Sequence, residues 1–141
     1  MKRTALLRKT PLARKHPGTR SRTPKRTRDF EYLAKVRALG CCICGRDAEA
    51  HHIRSGYGTS QRASDLEAIP LCPKHHREGP EGVAFHAGPR RWQTIAGDEL
   101  EHLQRTWKLL GITFQDLIRF RGGKYPPWAA KAEELGWDVE P

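Results

Sequence analysis

Apolar residues recur every third or fourth position from residue 30 to residue 39, and again from residue 98 to residue 110. The first series is Phe30, Leu33, Val36 and Leu39, and the second is Leu100, Leu103, Trp107 and Leu110. Such spacing places the apolar side chains on one face of a helix. Asp29 precedes the first helix as an N-cap, and Gly40 and Gly111 follow the two helices as stops.

The rest of the chain contains shorter elements. A strand is expected over 48–53 and a second over 69–71, and the loop of 55–64 between them is rich in glycine, serine and threonine. Further short helices are expected at 73–77, 90–95, 113–120 and 127–135. Pro73 suits the first position of a helix, because its missing N–H would be unpaired there in any case. Two short strands among several helices predict a small α+β fold.

Charge is distributed unevenly along the 141 residues, which are enough for one modest domain and a tail. Residues 1–28 contain 11 Lys or Arg and no acid, whereas residues 29–141 contain 15 basic and 16 acidic side chains. Prolines and mutually repelling charges predict that residues 1–28 form a disordered basic arm. Such an arm on a near-neutral body favours nucleic acid as the partner, although a solvated leader that only aids solubility is the alternative.

No stretch approaches about 20 apolar residues, so no membrane partner is expected. The basic N-terminus is not followed by an apolar segment, which argues against a secretory signal and favours a cytoplasmic location. In that compartment four cysteines indicate metal binding more often than disulfides. No small-molecule cofactor is expected.

Two pairs of ligand-type residues have the same spacing, Cys41-x-x-Cys44 and Cys72-x-x-His75. A turn of this spacing brings both side chains to one ion, so the two pairs predict a closed structural zinc site of three cysteines and one histidine. Zinc binding would also stabilise a region poor in large apolar residues. Cys42 is an alternative ligand to Cys41, but the spacing favours Cys41 and leaves Cys42 as a small buried apolar residue. Unrelated buried cysteines are the other interpretation.

Additional histidines accompany both pairs. His51 and His52 follow the first pair, and His76 directly follows His75. On a strand His51 and His52 face opposite sides, and on a helix His76 points about 100° away from His75. One histidine can therefore bind a metal while its neighbour meets a substrate from another direction. Phosphodiester hydrolysis needs this division, because one group deprotonates water and a cation stabilises the departing oxygen.

In this order the motifs resemble the HNH endonuclease family, in particular its phage and prophage members. The residues that carry the resemblance are Cys41-x-x-Cys44, Ala50-His51-His52-Ile53, Asp65, Ile69-Pro70-Leu71-Cys72-x-x-His75-His76 and the segment from Gly82 to Phe85-His86. Together they span roughly residues 38–96. The Arg/Lys-Thr-Pro repetition of the arm resembles the same proteins more weakly.

The resemblance implies a zinc-stabilised ββα-metal finger flanked by helices, in which a hairpin and a helix hold one catalytic divalent cation. It matches His52 to the general base, and His51, His76 and His86 to ligands of the catalytic ion. Asp65 lies near the position that orients the base. It departs from the usual Asn or His, and it stands seven residues before Cys72, a longer interval than is common in the family. Magnesium or manganese is the expected ion, although histidines would also hold zinc or nickel.

Other roles remain open for these residues. His51 and His52 could exchange roles, and His52 could be a hydrogen-bonded core histidine. His76 could replace His75 on the zinc. His86 could be an ordinary surface residue, and Asp65 could only cap a helix or turn.

The resulting prediction is a metal-dependent endonuclease that hydrolyses DNA phosphodiester bonds, encoded by a phage or prophage and leaving 5′-phosphate and 3′-hydroxyl ends. Its predicted parts are the arm of 1–28, a nuclease core over 29–97 and a helical extension over 98–141 that packs on the core. The residues expected to contact phosphates are Arg54, Lys74, Arg77, Arg90 and Arg91. The alternative is a non-catalytic zinc module that binds nucleic acid, which would have no use for the additional histidines.

Overall fold

The computed structural model of the chain describes residues 28–139. Within them a two-stranded sheet is surrounded by helices, which is a small α+β arrangement. The strands and longer helices are α1 (Phe30–Ala38), β1 (Glu49–His52), β2 (Ala68–Leu71), α2 (Pro89–Ala96), α3 (Glu99–Leu110), α4 (Phe114–Phe120) and α5 (Ala129–Glu134). Single helical turns lie at Asp65–Glu67, Lys74–Glu78 and Phe85–Ala87. The predicted arm of 1–28 lies outside the described residues except for Arg28.

The sheet consists of β1 and β2, which pair in antiparallel orientation along their full length. The register pairs Glu49 with Leu71, Ala50 with Pro70, His51 with Ile69, and His52 with Ala68. All four residues of β2 are buried. Because side chains alternate along a strand, the register sends His51 and His52 to opposite sides of the sheet, as predicted.

Helix α1 lies where the sequence predicted it. Its buried face, however, is not the face marked by the predicted apolar series of Phe30, Leu33, Val36 and Leu39. Tyr32 and Val36 are buried, whereas Phe30 at 67% exposure lies in solvent. A strict spacing of three residues falls short of a full turn, so such a series rotates about 60° around the helix at each step. The Asp29 carboxylate caps the helix by accepting a hydrogen bond of 2.9 Å from the Tyr32 backbone N–H.

The helix α3 packs against β2 and contributes its predicted apolar face to the core, with Leu100, Leu103 and Trp107 all buried. Asp98 caps its first turn, and Gly111 ends it in the left-handed conformation at φ 69°. One apolar cluster of buried residues runs from Tyr32 to Val139 and includes the four tryptophans Trp92, Trp107, Trp128 and Trp137. The C-terminal helices therefore complete the core that supports the sheet. The division of the chain at residues 97 and 98 remains a prediction.

A fully buried carboxylate joins the loop before β2 to the C-terminal helices. Glu67 accepts hydrogen bonds from Trp128 Nε1 at 2.7 Å, from Arg121 Nη1 at 3.1 Å and from the Tyr57 hydroxyl at 2.5 Å. The Ser64 backbone N–H adds a further bond at 2.7 Å. A buried charge is tolerated when it is paired and fully hydrogen-bonded, so this network fixes the turn at Asp65–Glu67. In the described part of the chain, no helix is long and apolar enough to cross a membrane.

Candidate functional site

The first candidate metal site brings together the four side chains that the sequence pairs predict. The Sγ atoms of Cys41, Cys44 and Cys72 and a ring nitrogen of His75 all lie within 4.8 Å of one another. The Cys44 and Cys72 sulfurs are 3.6 Å apart, and Nδ1 of His75 lies 3.1 Å from the Cys72 sulfur and 3.6 Å from that of Cys41. A tetrahedral ion with thiolate and imidazole ligands would separate them by about 3.5–3.8 Å. The group can therefore hold a metal ion.

The backbone of the Cys41–Gly45 turn is folded so that its sulfurs point inward. Gly45 N–H donates to the Cys41 carbonyl at 2.8 Å, and Ile43 N–H points at the Cys41 sulfur at 3.4 Å. The Cys42 N–H donates to the Pro70 carbonyl at 2.9 Å and so joins the turn to β2. The Cys42 side chain packs against the core instead of entering the metal group. Burial, followed by the neighbouring Cys41 charge, raises the pKa of Cys42 to about 12, so it is held as a neutral thiol.

The second candidate metal site is formed by His51, His76 and His86, whose ligand atoms also lie within 4.8 Å of one another. Their ring centroids are 5.0 Å apart for His51 and His76, 5.4 Å for His51 and His86, and 4.9 Å for His76 and His86. The buried ring of Phe85 packs on His51 at 4.4 Å and on Trp92 at 5.4 Å, which fixes the adjacent His86. His51 is buried and His86 is exposed, so the group opens to solvent on one side.

Two of these histidines are held by carboxylates. His51 Nε2 lies 2.8 Å from Glu99 Oε1, and His76 Nδ1 lies 2.8 Å from Glu49 Oε2. Because a carboxylate accepts the hydrogen bond, the proton belongs on those nitrogens and the lone pair on His51 Nδ1 and His76 Nε2. Proteins commonly orient metal-binding imidazoles in this way, since the carboxylate fixes the tautomer and raises the basicity of the ligand.

Glu99, like Glu49, is a partner of the histidine group that the sequence did not indicate. It begins α3, is fully buried, and also accepts hydrogen bonds from the backbone N–H of Arg54 at 3.1 Å and of Ser55 at 3.0 Å. It thereby fixes both His51 and the chain that leaves β1. Acids are common in the first turn of any helix, where they favour the positive end of the dipole, so nothing in the sequence distinguishes Glu99 from its neighbours.

On the opposite face of β1, His52 forms a pair with Asp65. His52 Nε2 lies 2.9 Å from Asp65 Oδ1, and the second oxygen of Asp65 accepts a hydrogen bond of 2.8 Å from the Asp29 backbone N–H. The side chain of His52 remains 26% exposed. Its Nδ1 atom has no hydrogen-bond partner among the residues that the structure describes. Asp65 thus contacts the predicted base, and the residue that caps its turn is Ser64.

Comparison with known proteins places the site within a family. Residues 11–110, more than half of the chain, match the family described as "Protein of unknown function (DUF968)". The chain belongs to the DUF968 family. The matched segment contains both metal-ligand groups, the His52–Asp65 pair and Glu99, and it stops before α4.

Within the curated proteins, the chain is similar to the "Uncharacterized protein YdfU" of Escherichia coli strain K12. The two sequences are 31% identical over 94 residues, which cover 63% of this chain and 25% of YdfU. The chain thus spans about a quarter of the length of this relative. No solved structure matches the chain significantly. Since neither description states an activity, the chemistry of the side chains is the guide to function.

The surroundings favour neutral imidazoles at His51 and His86 and an ionised carboxylate at Glu49. Burial lowers the pKa of His51 despite its bond to Glu99, and burial followed by the charge of His76 lowers the pKa of His86. Hydrogen bonds from Arg77 and His76 lower the pKa of Glu49 to about 2. Neutral imidazoles are the form that binds metal ions, so the lowered pKa values of His51 and His86 favour cation binding at neutral pH.

Asp65 is ionised where it meets His52. Burial alone would raise its pKa, but the hydrogen bonds that it accepts from His52 and from the Asp29 backbone N–H outweigh burial, and the pKa lies below its ordinary value. An ionised Asp65 holds the proton on Nε2 of His52 and leaves Nδ1 as the basic atom. The pair therefore has the arrangement of a general base and its orienting carboxylate.

Two of the five cations predicted to contact phosphates are engaged within the protein. Arg77 Nη2 donates to Glu49 at 2.7 Å, and Arg54 donates to the carbonyls of Gln61 and Gly58 at 3.0 and 3.2 Å. The others are Lys74, which lies beside the cysteine group, and Arg90 and Arg91, which are exposed at the start of α2. Contacts between these five residues and phosphate remain predictions.

Proposed function

We propose that the protein is a metal-dependent endonuclease of the HNH type that hydrolyses DNA phosphodiester bonds. The observation that carries the proposal is the position of two adjacent histidines on β1. His51 belongs to a group of three histidines, two of which are held by carboxylates, and His52 is paired with Asp65 on the other face. Because β1 is an edge strand of the two-stranded sheet, the phosphate would lie at its open edge, where the cation would act from one face and His52 from the other.

The group of three cysteines and His75 is proposed to bind structural zinc. Thiolates with one imidazole form the donor set that zinc prefers, and four protein ligands leave no coordination position for water or substrate. Its function would be to hold the Cys41–Gly45 turn against the Lys74–Glu78 helix. That helix carries His75 toward the zinc and His76 toward the catalytic group.

The histidine group fits a catalytic divalent cation, which His51, His76 and His86 would hold. Three imidazoles suit zinc or nickel better than magnesium, whose preferred ligands are oxygens. When bound, the cation would stabilise the negative charge that develops on the phosphate and on the leaving 3′ oxygen. Glu99 and Glu49 would keep two of the ligands in the required tautomer.

The proposed reaction is attack of water on phosphorus with His52 as the general base. Nδ1 of His52 accepts a proton from the water while its oxygen forms the new bond to phosphorus. The bond from phosphorus to O3′ breaks, and O3′ takes a proton from solvent, which gives a 5′-phosphate and a 3′-hydroxyl. Asp65 stabilises the protonated imidazole and keeps Nδ1 directed at the water.

The test is cleavage of supercoiled plasmid by the wild type and by His52→Ala in the presence of magnesium, manganese, zinc or nickel. Loss of the base is expected to slow cleavage by about 100-fold or more. His16→Ala, which removes a histidine with no proposed role in catalysis or metal binding, is the control and should cleave like the wild type. Zinc content and thermal unfolding of the two variants show that the fold is retained. Equal cleavage by wild type and His52→Ala contradicts the proposal.

The other candidate is a zinc module that binds nucleic acid without cutting it. It is favoured by the group of three cysteines and His75, which is complete without His51, His52, His76 and His86. Such a module needs one tightly bound ion for each chain. Bound metal per chain separates the two candidates. A second, weaker ion that the wild type binds and His76→Ala does not bind supports the enzyme. One bound ion in both the wild type and His76→Ala supports the binding module.

A further inference from the structure

His52 and Asp65 line an open cleft of about 770 Å³ on the face of β1 opposite the three histidines. One wall is the beginning of α1, with Phe30 and Leu33. The second wall is the segment from Arg62 to Asp65, and the third is the end of α4 with the loop that follows it, from Arg119 to Lys124. The cleft is therefore built partly from residues beyond position 110, outside the segment that matches the DUF968 family.

Positive charge dominates this cleft. Its basic lining residues are Arg28, Arg62, Arg119, Arg121 and Lys124. Among the described residues that line it, Asp65 is the sole acid, and both of its oxygens are occupied by His52 and by the Asp29 backbone. The walls thus carry a surplus of cations around an exposed imidazole, which attracts anions into the cleft.

Most of these cations are available to a ligand. Within the part of the chain that is described, Arg62 and Lys124 have no carboxylate partner for their side chains, and both are exposed. Arg119 is 81% exposed, and its contact with Asp116 is long, at 3.9 Å. Arg121 differs, because its guanidinium bonds Glu67 and Tyr57 and supports the wall from inside.

The form of the cleft favours an extended polyanion over a small one. The three exposed cations come from two separate segments that line the cleft, Arg62 from one and Arg119 and Lys124 from the other, and the cleft is open to solvent. Arg28, which also lines the cleft, is the last residue of the basic segment 1–28, whose sequence contains 11 Lys or Arg. A phosphodiester chain presents evenly spaced charges that several separated cations can contact at once.

We propose that this cleft is the DNA-binding surface and that Arg62, Arg119 and Lys124 contact the phosphodiester backbone on both sides of the phosphate that faces His52. The role of His52 in this statement rests on the proposed nuclease function, whereas the binding surface does not. The inference gives the C-terminal region a direct part in substrate binding, because α4 and the following loop supply two of the three contacts.

The test measures binding of a fluorescein-labelled 25-base-pair duplex by anisotropy over a range of salt concentrations. The full chain carrying His52→Ala is used without added catalytic metal, so the DNA is not cut. In that background Arg119→Ala with Lys124→Ala is compared with Arg105→Ala with Lys108→Ala, which removes the same charge from exposed positions on α3. The cleft variant should bind roughly tenfold more weakly at moderate salt, and its slope of log affinity against log salt should fall by about two.

The control variant should keep the affinity and slope of its parent. Equal weakening by the two double variants would overturn the cleft proposal, since the loss would then reflect net charge alone. Unchanged binding by the cleft variant would overturn it as well. If the cleft variant binds weakly while wild-type protein cuts no plasmid with any metal, the nuclease proposal fails and the binding surface stands.

Discussion

At the scale of single residues, the partners of each histidine decide its chemistry. His51 and His52 are adjacent and identical in type, yet one is buried against Glu99 and the other meets Asp65 beside an open cleft. Both carboxylates place the imidazole proton on Nε2. The two histidines differ in the surroundings of Nδ1. In His51 this atom belongs to the group of three imidazoles, and in His52 it belongs to a side chain that lines the open cleft.

Glu99→Gln tests whether the buried carboxylate supports metal binding. The amide fills the same volume, but it holds less negative charge against His51 and directs an NH2 group at backbone donors of Arg54 and Ser55. We expect affinity for the second metal ion to fall about 10- to 100-fold, and stability without that ion to fall by about 1–3 kcal/mol. Competition with a chromogenic chelator measures the affinity, and urea unfolding measures the stability.

Glu101→Gln is the control for that experiment, because it makes the same change two residues along α3 at an exposed position. It should match the wild type in both measurements. If Glu99→Gln also binds the second ion with wild-type affinity, Glu99 does not support a metal ligand and is only part of the fold.

At the scale of elements, the Cys41–Gly45 turn is preceded by Gly40 and ends at Gly45, two glycines that have similar φ angles but different surroundings. Gly40 has φ 78°, and a Cβ atom there would lie 2.9 Å from the Gly45 carbonyl oxygen. Gly45 has φ 74°, and a Cβ atom there would meet nothing within 4 Å. The first position is restricted by backbone angle and by space, and the second by backbone angle alone.

Gly40→Ala should therefore destabilise the protein more than Gly45→Ala. The backbone angle alone costs roughly 1 kcal/mol for alanine, and displacing the turn at Gly40 adds about 1–2 kcal/mol more. Urea unfolding of the zinc-loaded proteins measures both changes, and zinc retention during unfolding reports on the turn itself. Equal destabilisation by the two substitutions would show that the close approach at Gly40 is relieved without cost.

Local patterns in the sequence were sufficient for most elements and for the cysteine group. Helix α3, both strands and the four residues of the cysteine group could be predicted because their signals lie within a few residues of one another. The partners of the histidines could not, since Glu99 meets His51 across 48 positions and Glu49 meets His76 across 27. The cleft was missed for the same reason, because folding alone brings Arg119 and Lys124 beside His52.

At the scale of the whole molecule, one core supports three groups with different chemistry. The cysteine group and the histidine group share the Lys74–Glu78 helix, and the His52–Asp65 pair shares β1 with the histidine group. The buried Glu67 network then holds the turn of Asp65 to Arg121 and Trp128 in the C-terminal region. Through this network the segment that lies outside the family match is tied to the proposed base.

The measurement that tests the division of roles most directly compares His51→Ala with His52→Ala for metal content and plasmid cleavage in the same preparations. We predict that both variants keep the zinc of the cysteine group and that neither cuts DNA. His52→Ala should still bind a second ion, whereas His51→Ala should have lost it. Loss of the second ion in His52→Ala together with its retention in His51→Ala would contradict the account, and so would cleavage by either variant at the wild-type rate.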